Sequence, residues 1–419
     1  MKAVTEFMHN ILNREWSLVL PAVLLAAVAT AQERIIPNDP YYRSQITFHA
    51  AAGEAVVSDR SSREGTHTYQ VGAGVTLDME RAWAITTGSK SVVVAILDDG
   101  FCYEMPDVRD NIWHNPGESG ADRSGLAKET NGKDDDGNGY VDDVIGWDFV
   151  FDTPDPSCYV FDGMDRNRIA PYWHSLHAMG IIGAKGNNGI GVAGINWNVS
   201  MMLLRIGVQG IGRNEIDTRR VDRVIRAIRY AADNGARVLN DSGFVQGAPP
   251  EKLRELREAI DYAGKRNLLL VAGAGNDKND LDDDANCKYQ PQCFEAPNLM
   301  KVAEADFSGG LYVASPPWIG GSNFGARRVE IAAIGANFTT GIQNGLPIYE
   351  ITGGTSNAGP VVAGVAALML AVNPGLTAIE LKQLLLESAT PVAALRGKVA
   401  CGGIVNAYRA VVAAKNRLK

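Results

Sequence analysis

The sequence predicts an α/β fold, a doubly wound and mostly parallel sheet with helices on both of its faces. A continuous β-branched run, typical of a strand buried on both faces, stands at residues 91–97, and further strands are predicted at 200–206, 237–240 and 268–272. Between them, apolar residues recur at helical spacing, at Val221, Val224, Ile225 and Ile228 and again at Leu253, Leu256 and Ile260. Strand and helix in alternation, joined by right-handed crossovers, predict a parallel sheet.

One further helix has no polar face. Residues 361–370 (VVAGVAALML) carry no polar side chain, and the run stops at a strong helix breaker, Asn373-Pro374-Gly375. A helix that is apolar all round is normally buried on all sides. We therefore expect this helix at the centre of the domain.

The composition is that of a globular protein. Of the 419 residues, 46% are hydrophobic and 21% are charged. The net charge of −8 argues against nucleic acid as the main partner. No apolar run reaches the ~20 residues that a membrane span needs, so we expect no membrane association after processing.

The N-terminus predicts export. Residues 18–28 (LVLPAVLLAAV) form a short apolar core, and Ala29-Thr30-Ala31 follows as a cleavage signal. We therefore expect a signal peptide over residues 1–31 and a secreted protein, extracellular or periplasmic; the alternative is a buried N-terminal helix. Residues 32–75 are polar and poorly periodic, and are interpreted as an extension or short pro-segment without a core of its own. Residues 76–419 are the predicted main domain.

Export permits disulfide bonds. With five cysteines, at least one stays unpaired. Cys287 and Cys293 enclose a short polar stretch and are predicted to pair. Cys102 and Cys158 can pair only if the fold brings them together, and Cys401 is expected to be a buried free thiol.

Polar residues stand where predicted elements end. Asp98 follows the strand at 91–97, and Asn276 follows the strand at 268–272. Open α/β sheets place their sites at the carboxyl ends of such strands. Asn276 ends a Gly-Ala-Gly-Asn turn that lacks the third glycine and the following helix of a dinucleotide loop, which argues against that function.

Ser356 and His174 complete a candidate catalytic set. Ser356 precedes the apolar helix, at its positive end, where it can be an N-cap or a nucleophile. His174 and His177 share a helix face, but the spacing and the lack of nearby Cys or His argue against zinc. Nucleophilic catalysis needs a hydroxyl, an imidazole, a carboxylate that orients it, and an oxyanion donor. Those four roles suit Ser356, His174, Asp98 and Asn276.

An acidic loop predicts a cation site. Residues 134–143 (DDDGNGYVDD) place oxygen side chains at alternate positions, and Gly139 allows a sharp turn, as in loops that wrap calcium. The predicted calcium ligands are Asp134, Asp136, Asn138, Asp142 and Asp143. No glutamate stands at the twelfth position, so the loop is not a full EF-hand; the alternative is a solvated acidic turn.

Four motifs, in this order, resemble those of the subtilisin-like serine peptidases. They are VAILDDG at 94–100, HSLHAMGIIGA at 174–184, AGN at 274–276 and GTSNAGP at 354–360. The resemblance runs from about residue 37 to 414 and includes the acidic loop. It implies a subtilisin-like fold and hydrolysis of peptide bonds in proteins or peptides, with Asp98 orienting the base His174, Ser356 as the nucleophile and Asn276 as the oxyanion donor.

The sequence departs from that family pattern close to the predicted chemistry. Ser175-Leu176 replaces Gly-Thr beside the base, and Asp99 puts a second carboxylate directly next to Asp98. After the nucleophile, Asn357 replaces the usual Met and Val362 a frequent His.

A further departure concerns substrate binding. Ser242, Gly243 and Phe244 stand where the family has an S-x-G edge that pairs with the substrate backbone and lines the first specificity pocket. Phe244, in the place of the glycine, is expected to crowd that pocket or to reshape it for small side chains.

Two functions are compatible with these observations. One is a secreted serine endopeptidase, which the four candidate catalytic residues favour. The other is a catalytically impaired pseudopeptidase, a calcium-stabilised binding or structural module on the same fold, which Phe244 and Ser175-Leu176 favour. We expect a monomer in either case.

Overall fold

The structure is a computed structural model. It describes residues 33–58, 66–158, 174–207, 218–314, 320–343 and 345–418. The predicted signal peptide, residues 1–31, lies outside the described residues.

The described strands are β1 (Gly53–Ser58), β2 (Thr66–Val71), β3 (Gly88–Asp98), β4 (Gly146–Asp148), β5 (Asn198–Arg205), β6 (Val238–Asp241), β7 (Val245–Gln246), β8 (Leu269–Gly273), β9 (Tyr289–Gln290), β10 (Leu299–Ala305), β11 (Ile331–Ile334), β12 (Asn337–Gln343), β13 (Leu346–Thr352), β14 (Thr390–Pro391) and β15 (Gly403–Ile404). The described α-helices are α1 (Ile46–His49), α2 (Met79–Trp83), α3 (His174–Gly183), α4 (Thr218–Asp233), α5 (Pro250–Gly264), α6 (Thr355–Val372), α7 (Ala378–Ser388) and α8 (Ala407–Asn416).

Nine strands form the central sheet, in the order β14-β15-β11-β10-β8-β6-β3-β5-β4. Neighbouring strands are parallel, apart from the antiparallel edge pair β14–β15. Strands β6, β8 and β10 are buried along their whole length, which explains why most of their residues are apolar. The predicted α/β class with a mostly parallel sheet is confirmed.

Helices cover both faces of this sheet. Val94 and Ile96 of β3 join the core that contains residues of α3, α6 and α8. Ala95 and Leu97 join the opposite core, which contains residues of α4 and α5. Alternate side chains of one strand thus enter two cores, as the pleat of a strand requires. The doubly wound arrangement is confirmed.

Helix α6 is the central helix. By length and composition it could cross a membrane, but 83% of its apolar window is buried inside the domain, as expected of a core helix. The helix starts at Thr355, with Gly354 (φ 105°) at the N-cap position. The alternative that Ser356 is an N-cap is therefore wrong, and Ser356 lies in the first turn.

The predicted N-terminal extension is not a separate packing unit. Tyr42 and Phe48 are buried in the core beneath α6, and Ile46 in a further core cluster that includes residues of β11. Large apolar residues of this segment therefore enter the cores of the main domain. Its described residues form short elements, α1 and the antiparallel pair β1–β2, from which a few large apolar residues enter the cores.

The disulfide prediction is also corrected. Cys102 is bonded to Cys158, whereas Cys287, Cys293 and Cys401 are free thiols of intermediate exposure. A parallel β-bridge between Phe101 and Ser157, the residues that precede the two cysteines, brings the bonded pair together. The Cys287 thiol is nevertheless close enough to Cys293 to affect its pKa. Burial first, and then the Cys287 thiol, raise the pKa of Cys293 to about 12.

Candidate active site

Asp98 and His174 form a hydrogen-bonded pair. Asp98 ends β3 with a buried side chain, and His174 begins α3. His174 Nδ1 lies 2.8 Å from Asp98 Oδ2 and 3.1 Å from Oδ1. A carboxylate at Nδ1 favours the tautomer whose proton is on that nitrogen, which leaves Nε2 as a proton acceptor.

Ser356 is held against the segment that follows β6. Its hydroxyl donates to the carbonyl of Ser242 (3.3 Å), and the hydroxyl of Ser242 donates to the carbonyl of Ser356 (2.9 Å). Asn240 Nδ2 in turn donates to Ser242 Oγ (3.0 Å). Two reciprocal bonds therefore fix the first turn of α6 beside the end of β6.

Asn276 is oriented by Thr355, the residue before Ser356. The backbone N–H of Thr355 (2.9 Å) and its hydroxyl (3.0 Å) both donate to Asn276 Oδ1. Gly275 N–H donates to the same hydroxyl (3.0 Å). Since the oxygen end of the amide faces Thr355, the Nδ2 end is turned away from it and is available as a donor. Sequence reasoning missed the role of Thr355, although its place directly before the serine was visible.

A sequence profile described as the Subtilase family matches residues 89–408, most of the chain. The chain belongs to the subtilase family. It is 28% identical over 351 residues to "Subtilisin-like protease 1" of Plasmodium berghei (strain Anka), covering 79% of this chain and 52% of that protein. It is 28% identical over 364 residues to "Halolysin-like extracellular serine protease Nep" of Natrialba magadii, covering 87% and 51%. The chain thus spans about half the length of these relatives.

A solved structure titled as proteases from Pseudoalteromonas arctica PAMC 21717 is similar to this subtilase. The superposition covers 90% of this chain and 99% of that one, with a TM-score of 0.60 and 24% sequence identity. At this identity the likeness concerns the fold, and it agrees with the central sheet described above.

A buried glutamate supports the turn that precedes Ser356 in this subtilase. Glu304, in β10, is buried, and its Oε1 accepts from the N–H of Gly354 (2.9 Å). A Cβ at Gly335 would lie 2.4 Å from the same oxygen, so the missing side chain there leaves room for the carboxyl group. From the other direction, Asn357 Nδ2 donates to the carbonyl of Gly353 (2.8 Å). Asn357, a departure from the family pattern, thus helps to hold the turn.

Glu304 predicts a pH-dependent stability. Burial raises its pKa from 4.5 to about 7. Between pH 4.5 and about 7, Glu304 therefore keeps its proton in the folded state but has lost it in the unfolded state. The free energy of unfolding falls as the pH rises through this window. We expect Glu304→Gln, which keeps an acceptor without the charge, to be more stable than the wild type at pH 8, by up to about 3 kcal/mol.

Urea unfolding at pH 8 and pH 4.5 measures this effect, since at the lower pH the gain should disappear. Glu387→Gln is the matched control because Glu387 is exposed on α7. A gain that is the same at both pH values, or that the control reproduces, would contradict the prediction.

The second carboxylate, Asp99, is compensated. Its Oδ1 lies 3.1 Å from the Arg220 guanidinium, which also donates to the carbonyl of Phe244 (3.1 Å). The Asp241 side chain nearby is buried, and burial raises its pKa to about 6. The positive charge of Arg220 acts in the opposite direction and lowers that pKa. The extra negative charge beside Asp98 is therefore part of an ion-paired cluster.

The Ser-Leu departure beside His174 also has a structural role. Ser175 is buried and its hydroxyl donates to the carbonyl of Gly100 (2.5 Å), while Leu176 joins the core. The added hydrogen bond ties α3 to the turn that follows Asp98. His177 Nε2 lies 3.0 Å from Glu350 Oε1, and burial lowers the pKa of this histidine.

The acidic loop is organised around Glu118, which sequence reasoning missed. Carboxylate oxygens of Glu118, Asp134 and Asp136 all lie within 4.8 Å of one another. Glu118 is fully buried; its Oε1 accepts from the N–H groups of residues 135 and 136 (2.7 and 3.1 Å). Among the described residues, its buried Oε2 has no hydrogen-bond partner. Glu118 lies 16 residues before Asp134 in the sequence, outside the recognisable loop motif.

The other predicted ligands hold the loop together. Asp142 accepts from the N–H of Gly132 (3.1 Å). Asn138 Nδ2 donates to Asp143 (2.9 Å), which is buried and also accepts from Tyr230.

Proposed function

We propose that this subtilase is a serine endopeptidase that hydrolyses peptide bonds in proteins or peptides. The observation that carries the proposal is the pairing of Asp98 with His174 Nδ1, together with an Asn276 amide held in one orientation beside Ser356. A hydroxyl, an oriented base and an oxyanion donor are the parts that acyl transfer to serine requires.

In the proposed reaction, Ser356 Oγ attacks the carbonyl carbon of the scissile bond while His174 Nε2 takes the hydroxyl proton. The 3.3 Å bond from Ser356 to the Ser242 carbonyl is long and is exchanged for one to the imidazole. Asn276 Nδ2 and the N–H of Ser356, in the first turn of α6, stabilise the negative oxygen. His174 then protonates the leaving amine, and water hydrolyses the acyl ester with the same base.

Two of the departures close to the predicted chemistry have structural roles. Ser175 bonds to Gly100, and Asp99 pairs with Arg220. Neither contact removes a catalytic group. The observations therefore favour the endopeptidase over the binding module.

Labelling with a fluorophosphonate tests the proposal, because the reagent reacts with an activated serine whatever the natural substrate is. The full chain is exported, recovered and treated with the reagent, and the labelled peptide is identified by mass spectrometry. Label at Ser356 is the expected result; folded protein without label would favour the binding module. Export is supported by the Ala-x-Ala signal and by the extracellular halolysin-like relative, and N-terminal sequencing of the same preparation should start at Gln32.

We also propose that the acidic loop binds calcium through Glu118, Asp134 and Asp136. The carboxylates suit a hard cation, and water or backbone oxygens would complete the six to eight ligands that calcium takes. A buried carboxylate oxygen without a donor is costly, and a bound cation would remove that cost. The ion would stabilise the loop without a part in the chemistry.

Thermal unfolding with calcium and with a chelator measures the effect. Calcium at 100 times its dissociation constant adds about 2.7 kcal/mol to the free energy of unfolding. We expect Glu118→Gln to lose most of this gain and Asp110→Asn, an exposed carboxylate elsewhere, to keep it. Equal calcium-dependent gains in both variants would remove Glu118 from the site.

A further inference from the structure

The gap beside Ser356 lies between two backbone segments, which follow β6 and β8. Ser242 on the first segment is hydrogen-bonded to Ser356, and Asn276 on the second is hydrogen-bonded to Thr355. A peptide whose carbonyl carbon is at Ser356 Oγ and whose oxygen faces Asn276 has its P1 residue, on the acyl side of the scissile bond, next to both segments. The P1 side chain therefore enters this gap.

Gln292 bridges the gap. Its side chain is buried, and its Nε2 donates to the carbonyl of Gly243 on the first segment and to that of Gly273 at the end of β8, both at 3.0 Å. One nitrogen bonded to both oxygens keeps them no more than about 6 Å apart. A flat aromatic ring needs about 3.5 Å to the atoms on each side, about 7 Å in all. An aromatic P1 side chain does not fit at this level.

Two aromatic residues are close to the bridge in sequence, because Phe244 follows Gly243 and Tyr289 lies three residues before Gln292. Phe244 and Tyr289 have ring centroids 4.6 Å apart. The antiparallel pairing of β7 with β9 fixes them, since β7 starts directly after Phe244 and Tyr289 pairs with Gln246. Partial burial, and then the charge of Asp277, raise the pKa of Tyr289. Tyr289 thus packs against Phe244, which directly follows Gly243 on the first segment.

We infer that Gln292, Tyr289 and Phe244 restrict the P1 position to glycine or alanine. The inference deepens the proposed endopeptidase function and rests on it for the identity of the bound residue. It goes beyond the crowding expected from Phe244, because two side chains from the segment before β10 take part. A large apolar P1 side chain would have to displace the Gln292 bridge and the aromatic pair together.

The experiment uses Ser356→Ala, so that the gap is tested independently of catalysis. Binding of peptide acids that differ in the last residue, Gly, Ala, Leu or Phe, is measured by calorimetry. We expect the peptide ending in Ala to bind at least tenfold more tightly than the one ending in Phe. In Ser356→Ala/Phe244→Gly/Tyr289→Gly/Gln292→Ala, which removes the bridge and both rings, the preference should shrink at least tenfold. In Ser356→Ala/Ile379→Ala, which changes an exposed residue of α7, it should not.

Equal binding of the Ala and Phe peptides by Ser356→Ala would overturn the inference, and so would an unchanged preference in the variant without Gln292 and the two rings. Failure of the proposed function has a different signature. In that case the wild type takes no fluorophosphonate label, while the preference for a small last residue persists.

Discussion

Replacing Ser356 with alanine is expected to lower turnover of a casein or peptide substrate by roughly 10⁶, the scale measured for loss of the nucleophile in subtilisin, which belongs to the same family. Without the hydroxyl no acyl-enzyme forms, and His174 has no proton to accept. His174→Ala should cost about as much, because the two residues act as one unit. Turnover of the wild type should rise with pH as the imidazole loses its proton, since only the neutral form is a base.

Asn276→Ala should be milder, with a loss of about 10²–10³ in kcat, again the scale known from subtilisin. The variant keeps the nucleophile and the base and loses one donor to the oxyanion. Thr355→Val should lower kcat in the same direction, because Asn276 Oδ1 loses one of its two hydrogen bonds. Steady-state kinetics at a fixed fluorophosphonate-titrated concentration separates these effects, and Ser308→Ala, an exposed serine, is the control. A Ser356→Ala protein with more than a trace of activity would contradict the assignment.

The fold could be predicted because a strand that is buried on both faces has few polar residues and is therefore visible in the sequence as an apolar run. The runs at 91–97 and 268–272 are strands in the structure, within a residue or a few at each end. The start of α6 was harder to predict, since its first two turns hold Asn357, Gly359 and Pro360, which are poor formers of a helix interior. The apolar run therefore marks the buried part of the helix, and the catalytic turn lies before it.

The contacts that support the site could not be predicted, because they join residues far apart in sequence. Glu304 meets Gly354 across 50 positions, and Cys102 meets Cys158 across 56. The sequence did hold a signal for Glu304, since it and Lys301 are the two charged residues within the apolar run of β10. Such a residue in a buried strand needs a partner, but only the fold shows which one.

A buried ion pair beneath the active site is expected to have the largest single effect on stability. Arg205, at the end of β5, is the register neighbour of Asp98. Its guanidinium lies 3.1 Å from Asp148 Oδ2, and both side chains are almost fully buried (2% and 1% exposed). The same guanidinium nitrogen donates to the carbonyl of Ser157 (3.1 Å), next to the disulfide of Cys158. The pair therefore anchors the loop after β4 against the sheet.

Arg205→Met should lower the free energy of unfolding by about 3–5 kcal/mol, because it leaves Asp148 buried without its cation. Burial already raises the pKa of Asp148, while Arg205 lowers it. Removing Arg205 should raise that pKa further, so the loss should be largest at pH 8 and smaller at low pH, where Asp148 is neutral. Urea unfolding at several pH values measures it.

The double variant Asp148→Leu/Arg205→Met distinguishes the cost of an orphaned charge from lost packing. Replacing both members of a buried pair with apolar residues is often neutral or stabilising, so the double variant should recover most of the stability that the single variant loses. The exposed pair formed by Arg226 and Asp152, at 2.7 Å, is the matched control; Arg226→Met should cost under about 1 kcal/mol. Two outcomes would contradict the prediction: a loss for Arg205→Met no larger than that of the control, or a double variant less stable than the single one. In either case the ion pair does not stabilise the loop after β4 through its charges, and packing holds the loop in place.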